Sequence, residues 1–290
     1  MSSKISFIGG GNIAEAILSG LIKSGHSPSL ITVADPYEPQ LQKLKNLYKV
    51  GITNNNRSCL ESFGEEGCDV VIIATKPQIV SVALAETSDI IRKSKPLILS
   101  IAAGVPSNSI YKWVDNGHGS KISIVRLMPN TPALIGEGAA GMIANEHTTA
   151  EQKSLAESII KQIAKEYYWF KTDEDIDSVT GISGSGPAYF FYMMEAMQNA
   201  ASKMGLDEES SRRLIAQTCL GAAKMVLSSD ESIKTLRERV TSPNGTTYAA
   251  ITSMESNNVG KSIEIGCMAA KNRGTEMSEE LSDIKGQSSL

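Results

Sequence analysis

Phe7-Ile8-Gly9-Gly10-Gly11-Asn12-Ile13-Ala14 closes a short apolar run that starts at Lys4. The stretch reads G-x-G-x-x-A, with Gly9, Gly11 and Ala14 in the three key places. In a dinucleotide fingerprint the first glycine makes the tight turn after a strand and the second lets the backbone approach a pyrophosphate. The small third residue lets the next helix pack close to that strand. The amides of Asn12, Ile13 and Ala14 then open a helix whose N-terminal end faces the phosphates. A tight strand-to-helix turn with no ligand is the other reading. The strand signal before the glycines and the helix signal after them favour nucleotide binding.

Working outward, residues 4–9, 30–34, 69–74, 96–101 and 121–127 are short, continuous apolar runs rich in β-branched residues. That is how strands buried on both faces read. Helix-like stretches at 12–24, 38–48 and 79–91 alternate with them, which implies βαβ units and a doubly wound parallel sheet of Rossmann type. A helix over 150–163 opens on Thr149-Ala150-Glu151-Gln152, which has capping-box spacing, and 166–170 reads as one more strand. The character changes at Lys171-Thr172-Asp173-Glu174-Asp175, an acidic stretch that marks the expected boundary. The division is therefore 1–172 for a dinucleotide-binding domain and 173–290 for an all-α domain. Helices are expected at 187–204, 208–227, 233–240, 246–254 and 261–281, with Asp207 capping the second. The first carries Tyr189-Phe190-Phe191-Tyr192-Met193-Met194 and is apolar nearly all round. Such a helix is buried on more than one side, either in the core of one chain or against a second subunit.

Composition narrows the function. With 290 residues, 41% hydrophobic and 21% charged, the chain has material for about two cores. Lys and Arg number 28 against 32 Asp and Glu, and no basic block occurs, so nucleic acid is not an expected partner. No run approaches the ~18 apolar residues of a membrane span, and the apolar start of the chain is too short for a signal peptide. Cys59, Cys68, Cys219 and Cys267 are scattered with no CxxC pair. Neither a metal site nor a disulfide framework is expected, and a cytoplasmic setting fits. His26, His118 and His147 each sit in polar, turn-like surroundings and read as surface residues.

Further candidates fall where strands end. Asp35 closes the second strand, where an acid would contact the adenosine ribose; it favours NADH over NADPH because a carboxylate repels a 2′-phosphate. Its competing role is to cap the next helix. Ala74-Thr75-Lys76-Pro77 and Ser100-Ile101-Ala102-Ala103-Gly104 follow the next two strands. Loops there face the ligand crevice of a doubly wound sheet, and the small Ala102 and Ala103 let a flat nicotinamide lie close or simply pack. Arg126-Leu127-Met128-Pro129-Asn130-Thr131-Pro132 is held extended by its prolines. Gly181-Ile182-Ser183-Gly184-Ser185-Gly186-Pro187-Ala188 opens the apolar helix. Val240-Thr241-Ser242-Pro243-Asn244-Gly245-Thr246-Thr247 precedes another helix and offers amides and hydroxyls suited to a carboxylate, or a plain helix cap.

Together these motifs, in this order, resemble the Δ1-pyrroline-5-carboxylate reductases over nearly the whole chain. The resemblance implies reduction of a cyclic imine to proline, the last step of proline biosynthesis, with NADPH or NADH as hydride donor. It also implies a dimer of interleaved C-terminal helices, often built into a larger ring. Within the family's loop, Thr247 is placed to hydrogen-bond the ring nitrogen and is the catalytic candidate. Ser242, Asn244, Gly245 and Thr246 fall in the substrate-binding loop, and Asn56 falls at a cofactor-contacting asparagine. One departure is Asn244, where glycine is commoner; asparagine tolerates φ > 0, so the loop shape should survive. A β-hydroxyacid dehydrogenase is the nearest rival, but its helix lysine is replaced here by Phe190. A dinucleotide-sensing module with no turnover is the non-enzymatic alternative.

Overall fold

The computed structural model describes residues 3–282, which divide into two compact units. The first runs up to Ser185 and resumes at Ala269; the second is Gly186–Met268. In the first unit the order is β1 (Ile5–Ile8), α1 (Asn12–Lys23), β2 (Ile31–Ala34), α2 (Glu38–Tyr48), β3 (Gly51–Thr53), α3 (Asn56–Glu61), β4 (Val70–Ile73), α4 (Pro77–Ser94), β5 (Leu97–Ser100), α5 (Ser107–Asp115), β6 (Ile124–Met128), β7 (Gly138–Ala144), α6 (Ala150–Ile160), β8 (Ala164–Trp169) and α7 (Asp173–Val179).

Among the described residues these strands form one eight-stranded sheet in the order β3-β2-β1-β4-β5-β6-β7-β8. All neighbours are parallel except β6 and β7. Alternate side chains of the central strands feed two separate cores. Ile5, Phe7, Val70, Ile72, Leu97 and Leu99 pack with α1, α2 and α6 on one face. Ile8, Val71, Ile73 and Ile98 pack with α3, α4 and α5 on the other. With Ser6, Thr32, Ser100 and Arg126 as buried polar exceptions, the strands carry apolar residues on both faces rather than at every second position alone, because both faces are covered. Each such side chain contributes roughly 1.5–3 kcal/mol of burial. The continuous apolar runs legible in the sequence are the direct result.

Two strands escaped that signal. β3 is three residues long and begins with glycine, and β7 reads Gly-Ala-Ala-Gly-Met-Ile-Ala, composed mostly of residues with poor strand preference. β7 returns antiparallel beside β6 in the otherwise parallel, doubly wound sheet. The expected capping box is present: Gln152 N donates to Thr149 Oγ1 (3.3 Å) and Thr149 N to Gln152 Oε1 (3.0 Å).

The acidic stretch 171–175 is structured and belongs inside the first unit. Thr172 and Asp175 form a second capping box, which starts α7. Asp173 and Asp177 on that helix pair with Arg126 of β6 at 2.7 and 3.2 Å. Arg126 is only 1% exposed, so α7 cannot leave the sheet without abandoning a buried charge. The compact units divide at Ser185/Gly186, so α7 packs with the first unit although it follows the expected 172/173 boundary. His26 also departs from expectation. It is 2% exposed, and burial pushes its imidazole below the ordinary value. His118 is exposed and His147 half-buried against Tyr111, with ring centres 5.6 Å apart.

The second unit holds α8 (Gly186–Lys203), α9 (Glu208–Leu227), α10 (Ile233–Arg239), α11 (Thr246–Ser256) and the first part of α12 (Val259–Ser282). Asp207 Oδ1 caps α9 by accepting from Ser210 N at 2.9 Å, as the sequence predicts. These helices bury little: Phe191 is 64% exposed, Tyr192 74% and Ile233 70%. The later turns of α12 belong to the first unit. Thr275 Oγ1 donates to Asp177 Oδ2 (3.2 Å), and Gly104, at φ +69°, leaves room for Met277 where a Cβ would meet it at 2.9 Å. Among the described residues no helix is long and apolar enough to cross a membrane.

Candidate cofactor crevice and substrate loop

Strand order reverses between β1 and β4, and this switch point, at the carboxyl ends of the strands, is where a doubly wound sheet binds its ligand. The fingerprint sits there. Gly9 follows β1 with φ +101°, and a Cβ on it would lie 2.6 Å from the Ala74 carbonyl and 2.8 Å from Thr75 N. Any other residue would push the β1 and β4 loops apart. At Gly11 a Cβ would meet nothing within 4 Å, so this glycine leaves open the cradle that a side chain would fill. Gly11 is also the N-cap of α1 and has no side chain to satisfy the helix's first amides. Those of Asn12, Ile13 and Ala14 are thus left for an outside acceptor. Ala14 itself is buried in the core under the loop, which explains its small size.

Asp35 lies at the same edge. Its Oδ2 accepts from Gly10 N and its Oδ1 from Tyr37 N, both at 2.8 Å. The N-cap of α2 is Tyr37, so Asp35 is a tether for the fingerprint loop and not that helix's cap. Asn56 occupies the first turn of α3, past the end of β3, and its side-chain amide donates to Glu86 of α4.

Thr75 and Lys76 follow β4, with Lys76 the N-cap of α4 and Pro77 its first residue. Thr75 Oγ1 is buried with no hydrogen-bond partner among the described residues. An orphaned hydroxyl at a ligand crevice is one that a ligand satisfies. After β5, Ala102 is buried in the core, and Ala103 packs against Met128, Ile143 and Ile176. The residues fit a dinucleotide: an open glycine cradle, unmet helix amides, an acid at the end of β2, an orphan hydroxyl and small residues after β5.

The crevice also draws on Gly10, which the fingerprint leaves as a mere spacer. Its N–H goes to Asp35, and its carbonyl accepts from Gln40 Nε2 at 2.7 Å. The sequence carries a G-G-G run but no sign that Gln40, in the next helix, reaches back to it.

The candidate substrate loop lies in the second unit. Gly245 N donates to Ser242 O at 3.0 Å, closing a turn over Pro243 and Asn244. Asn244 has φ +61°, the left-handed conformation the sequence predicts it must tolerate. Gly245 is the N-cap of α11 and gives no side-chain cap, so the first amides of the helix, those of Thr246 and Thr247 included, face outward. The Ser242, Thr246 and Thr247 side chains stand beside them on the exposed to half-buried surface. Uncapped amides at a positive helix end, with hydroxyl-bearing residues beside them in sequence, suit a small carboxylate.

Comparison with known proteins agrees with both parts. A family model described as "Pyrroline-5-carboxylate reductase dimerisation" matches residues 173–277, and one described as "NADP oxidoreductase coenzyme F420-dependent" matches 4–104. A pyrroline-5-carboxylate reductase of Pseudomonas aeruginosa is 39% identical over 278 residues, covering 96% of this chain and 98% of that protein. One of Haemophilus influenzae is 39% identical over 274 residues, covering 94% and 97%. Among solved structures, a pyrroline-5-carboxylate reductase from Coxiella burnetii superposes with a TM-score of 0.86 at 40% identity, covering 96% of this chain and 99% of that one. The Plasmodium falciparum pyrroline carboxylate reductase with NADP bound gives 0.82 at 27% identity, covering 95% and 98%. With identity at this level along almost its entire length, the chain belongs to the pyrroline-5-carboxylate reductase family.

Proposed function

We propose that the chain reduces the cyclic imine 1-pyrroline-5-carboxylate to L-proline, holding NADPH or NADH at the carboxyl edge of its sheet and the substrate carboxylate at the N-terminus of α11. The observation that carries the assignment of the loop is the outward-facing, uncapped first turn of α11 behind the left-handed Asn244. When bound, the cofactor supplies hydride from nicotinamide C4 to the imine carbon. The backbone of Gly9–Ala14 holds the pyrophosphate, Asp35 meets the adenosine ribose, and the Ala74–Pro77 and Ala102–Ala103 loops border the dinucleotide. Asn56 takes the adenosine side once its amide leaves Glu86.

Ser242 and the Thr246 amide hold the carboxylate, with Asn244 and Gly245 setting the loop's shape. Thr247 hydrogen-bonds the ring nitrogen, its hydroxyl oxygen accepting from the protonated imine N–H, and so orients the imine and stays bonded to the product amine. An imine is protonated readily in water, which supplies the proton that accompanies hydride, so its carbon is already electrophilic and needs no strong general acid from the protein. No His, Cys or Lys occurs in the substrate loop, which agrees with catalysis by positioning. The assay is oxidation of NADPH and of NADH with pyrroline-5-carboxylate; cofactor binding without turnover would leave the chain a sensing module.

The same reading makes the chain a homodimer, or a larger assembly of dimers, through the helices beyond residue 173, where the dimerisation match begins. The exposed Phe190, Phe191 and Tyr192 of α8 support a partner surface. A reducing cytoplasm is its proposed setting.

A further inference from the structure

We propose that Gln40 is a positioning residue for the cofactor pyrophosphate: by holding the Gly10 carbonyl, it turns the Gly11 N–H into the phosphate crevice. The inference rests on the cofactor reading above and adds a residue outside the fingerprint. In a trans peptide the carbonyl and the following N–H point in opposite directions. No cis peptide occurs among the described residues. Gln40 Nε2 takes the Gly10 carbonyl at 2.7 Å from α2, so the Gly11 N–H of that same peptide points away from α2. Gly11 is the glycine with open space before it. The preceding Gly9–Gly10 peptide is held separately, its Gly10 N–H donating to Asp35 Oδ2 at 2.8 Å, so the two planes on either side of Gly10 are each fixed by a side chain.

Gln40 is itself held. A primary amide has two N–H donors, and the second goes to Glu15 Oε2 at 3.2 Å. Glu15 also accepts from Lys43 Nζ (2.6 Å) and from Tyr48 OH (3.1 Å). Partial burial disfavours the Glu15 carboxylate, but the bonds from Lys43, Gln40 and Tyr48 outweigh it and hold the carboxyl below its ordinary value. An ionised Glu15 accepts only, so it fixes which way the Gln40 amide faces and keeps its nitrogen on the Gly10 carbonyl. The chain of contacts runs from Lys43 and Tyr48 through Glu15 and Gln40 to one peptide plane of the fingerprint.

The test compares the full-length wild type with Gln40→Leu and the near-isosteric Gln40→Glu. Affinity is measured for NADPH, NADH, ADP-ribose and adenosine, alongside kcat at saturating cofactor and the melting temperature. Both variants should bind NADPH, NADH and ADP-ribose roughly five- to fiftyfold more weakly, as expected for one misdirected hydrogen bond to a charged partner. Affinity for adenosine, which lacks the pyrophosphate, and kcat should stay within about twofold of wild type, because neither depends on that hydrogen bond. Unchanged ADP-ribose affinity in either variant, with or without a lower melting temperature, overturns the proposal. So does an equal loss for adenosine, which would mean that α2 itself had shifted. A wild type that binds no ADP-ribose would defeat the cofactor reading first, and this proposal with it.

Discussion

Replacing Asp35 by asparagine separates two roles that the structure gives to one carboxylate. The side chain faces the expected ribose end of the crevice, and its two oxygens tether Gly10 N and Tyr37 N at 2.8 Å. Its charge should discriminate against NADPH. Two unit charges about 4 Å apart interact by roughly 1 kcal/mol in water. A phosphate monoester carries nearly two charges, and physiological salt removes about half of the interaction at such a site. The net penalty on NADPH is therefore ~1 kcal/mol, or about fivefold. The tether acts on both cofactors alike. Asparagine keeps one carbonyl acceptor but turns an NH2 toward the other amide, and losing one hydrogen bond to a charged acceptor costs about 1.5–3 kcal/mol. Asp35→Asn should thus weaken NADH by roughly tenfold or more and NADPH by several-fold less, raising the NADPH/NADH ratio of kcat/KM about fivefold. Asp35→Ser, which keeps neither acceptor geometry, should shift the ratio likewise and lose more overall. Steady-state kinetics with both cofactors read both effects. A common loss with an unchanged ratio would refute the ribose placement and leave Asp35 as a tether alone. A shifted ratio with no common loss would refute the tether's importance.

Thr247→Ala should lower kcat/KM about 10- to 100-fold with little change in cofactor affinity, while Thr246→Ala, whose amide remains, should be milder; wild-type kcat/KM in Thr247→Ala would remove it from the active site. Sedimentation at micromolar concentration should find at least a dimer, and a stable monomer would contradict the reading of the exposed α8 face. Asp177→Ala leaves the buried Arg126 short of one partner and should cost about 3–5 kcal/mol in denaturant unfolding. Burial lowers the His26 pKa below its ordinary 6.5, so the folded chain takes up its proton at lower pH than the unfolded chain does. The unfolded chain therefore binds the extra proton, and stability should fall as pH drops below about 6.5. His26→Leu should flatten that limb of a melting-temperature profile against pH, and an identical slope would show that other groups set it.

Much of the fold was legible because the signals are local. β1, β2, β4, β5 and β6 carry apolar residues facing both ways, since each is covered on both faces. The fingerprint is legible because glycine alone fits φ +101° against the Ala74 carbonyl. The caps at Thr149 and Asp207 are legible because they join residues three apart. Asn244 at φ +61° meets the expectation that asparagine tolerates φ > 0 where the resemblance makes glycine commoner.

What the linear pattern hides is whatever joins residues far apart in sequence. β7 holds its place by ladder hydrogen bonds to β6, which need no strand-forming side chains. The stretch 171–175 looks like a polar boundary until Arg126, 47 residues earlier, is seen beneath Asp173. His26 looks exposed by its neighbours in the chain and is buried by the fold. Asp35 could be placed at a strand end but not given its tether, and Gln40 carried no motif at all, because a side chain's hydrogen-bond partner depends on how two helices settle on the sheet. Local sequence determined the strands, turns and caps, whose energetics involve residues within a turn of one another. Tertiary structure alone decided which charges are buried, where the compact units divide and which peptide plane faces the crevice, because those depend on distances that form only when the whole sheet is assembled.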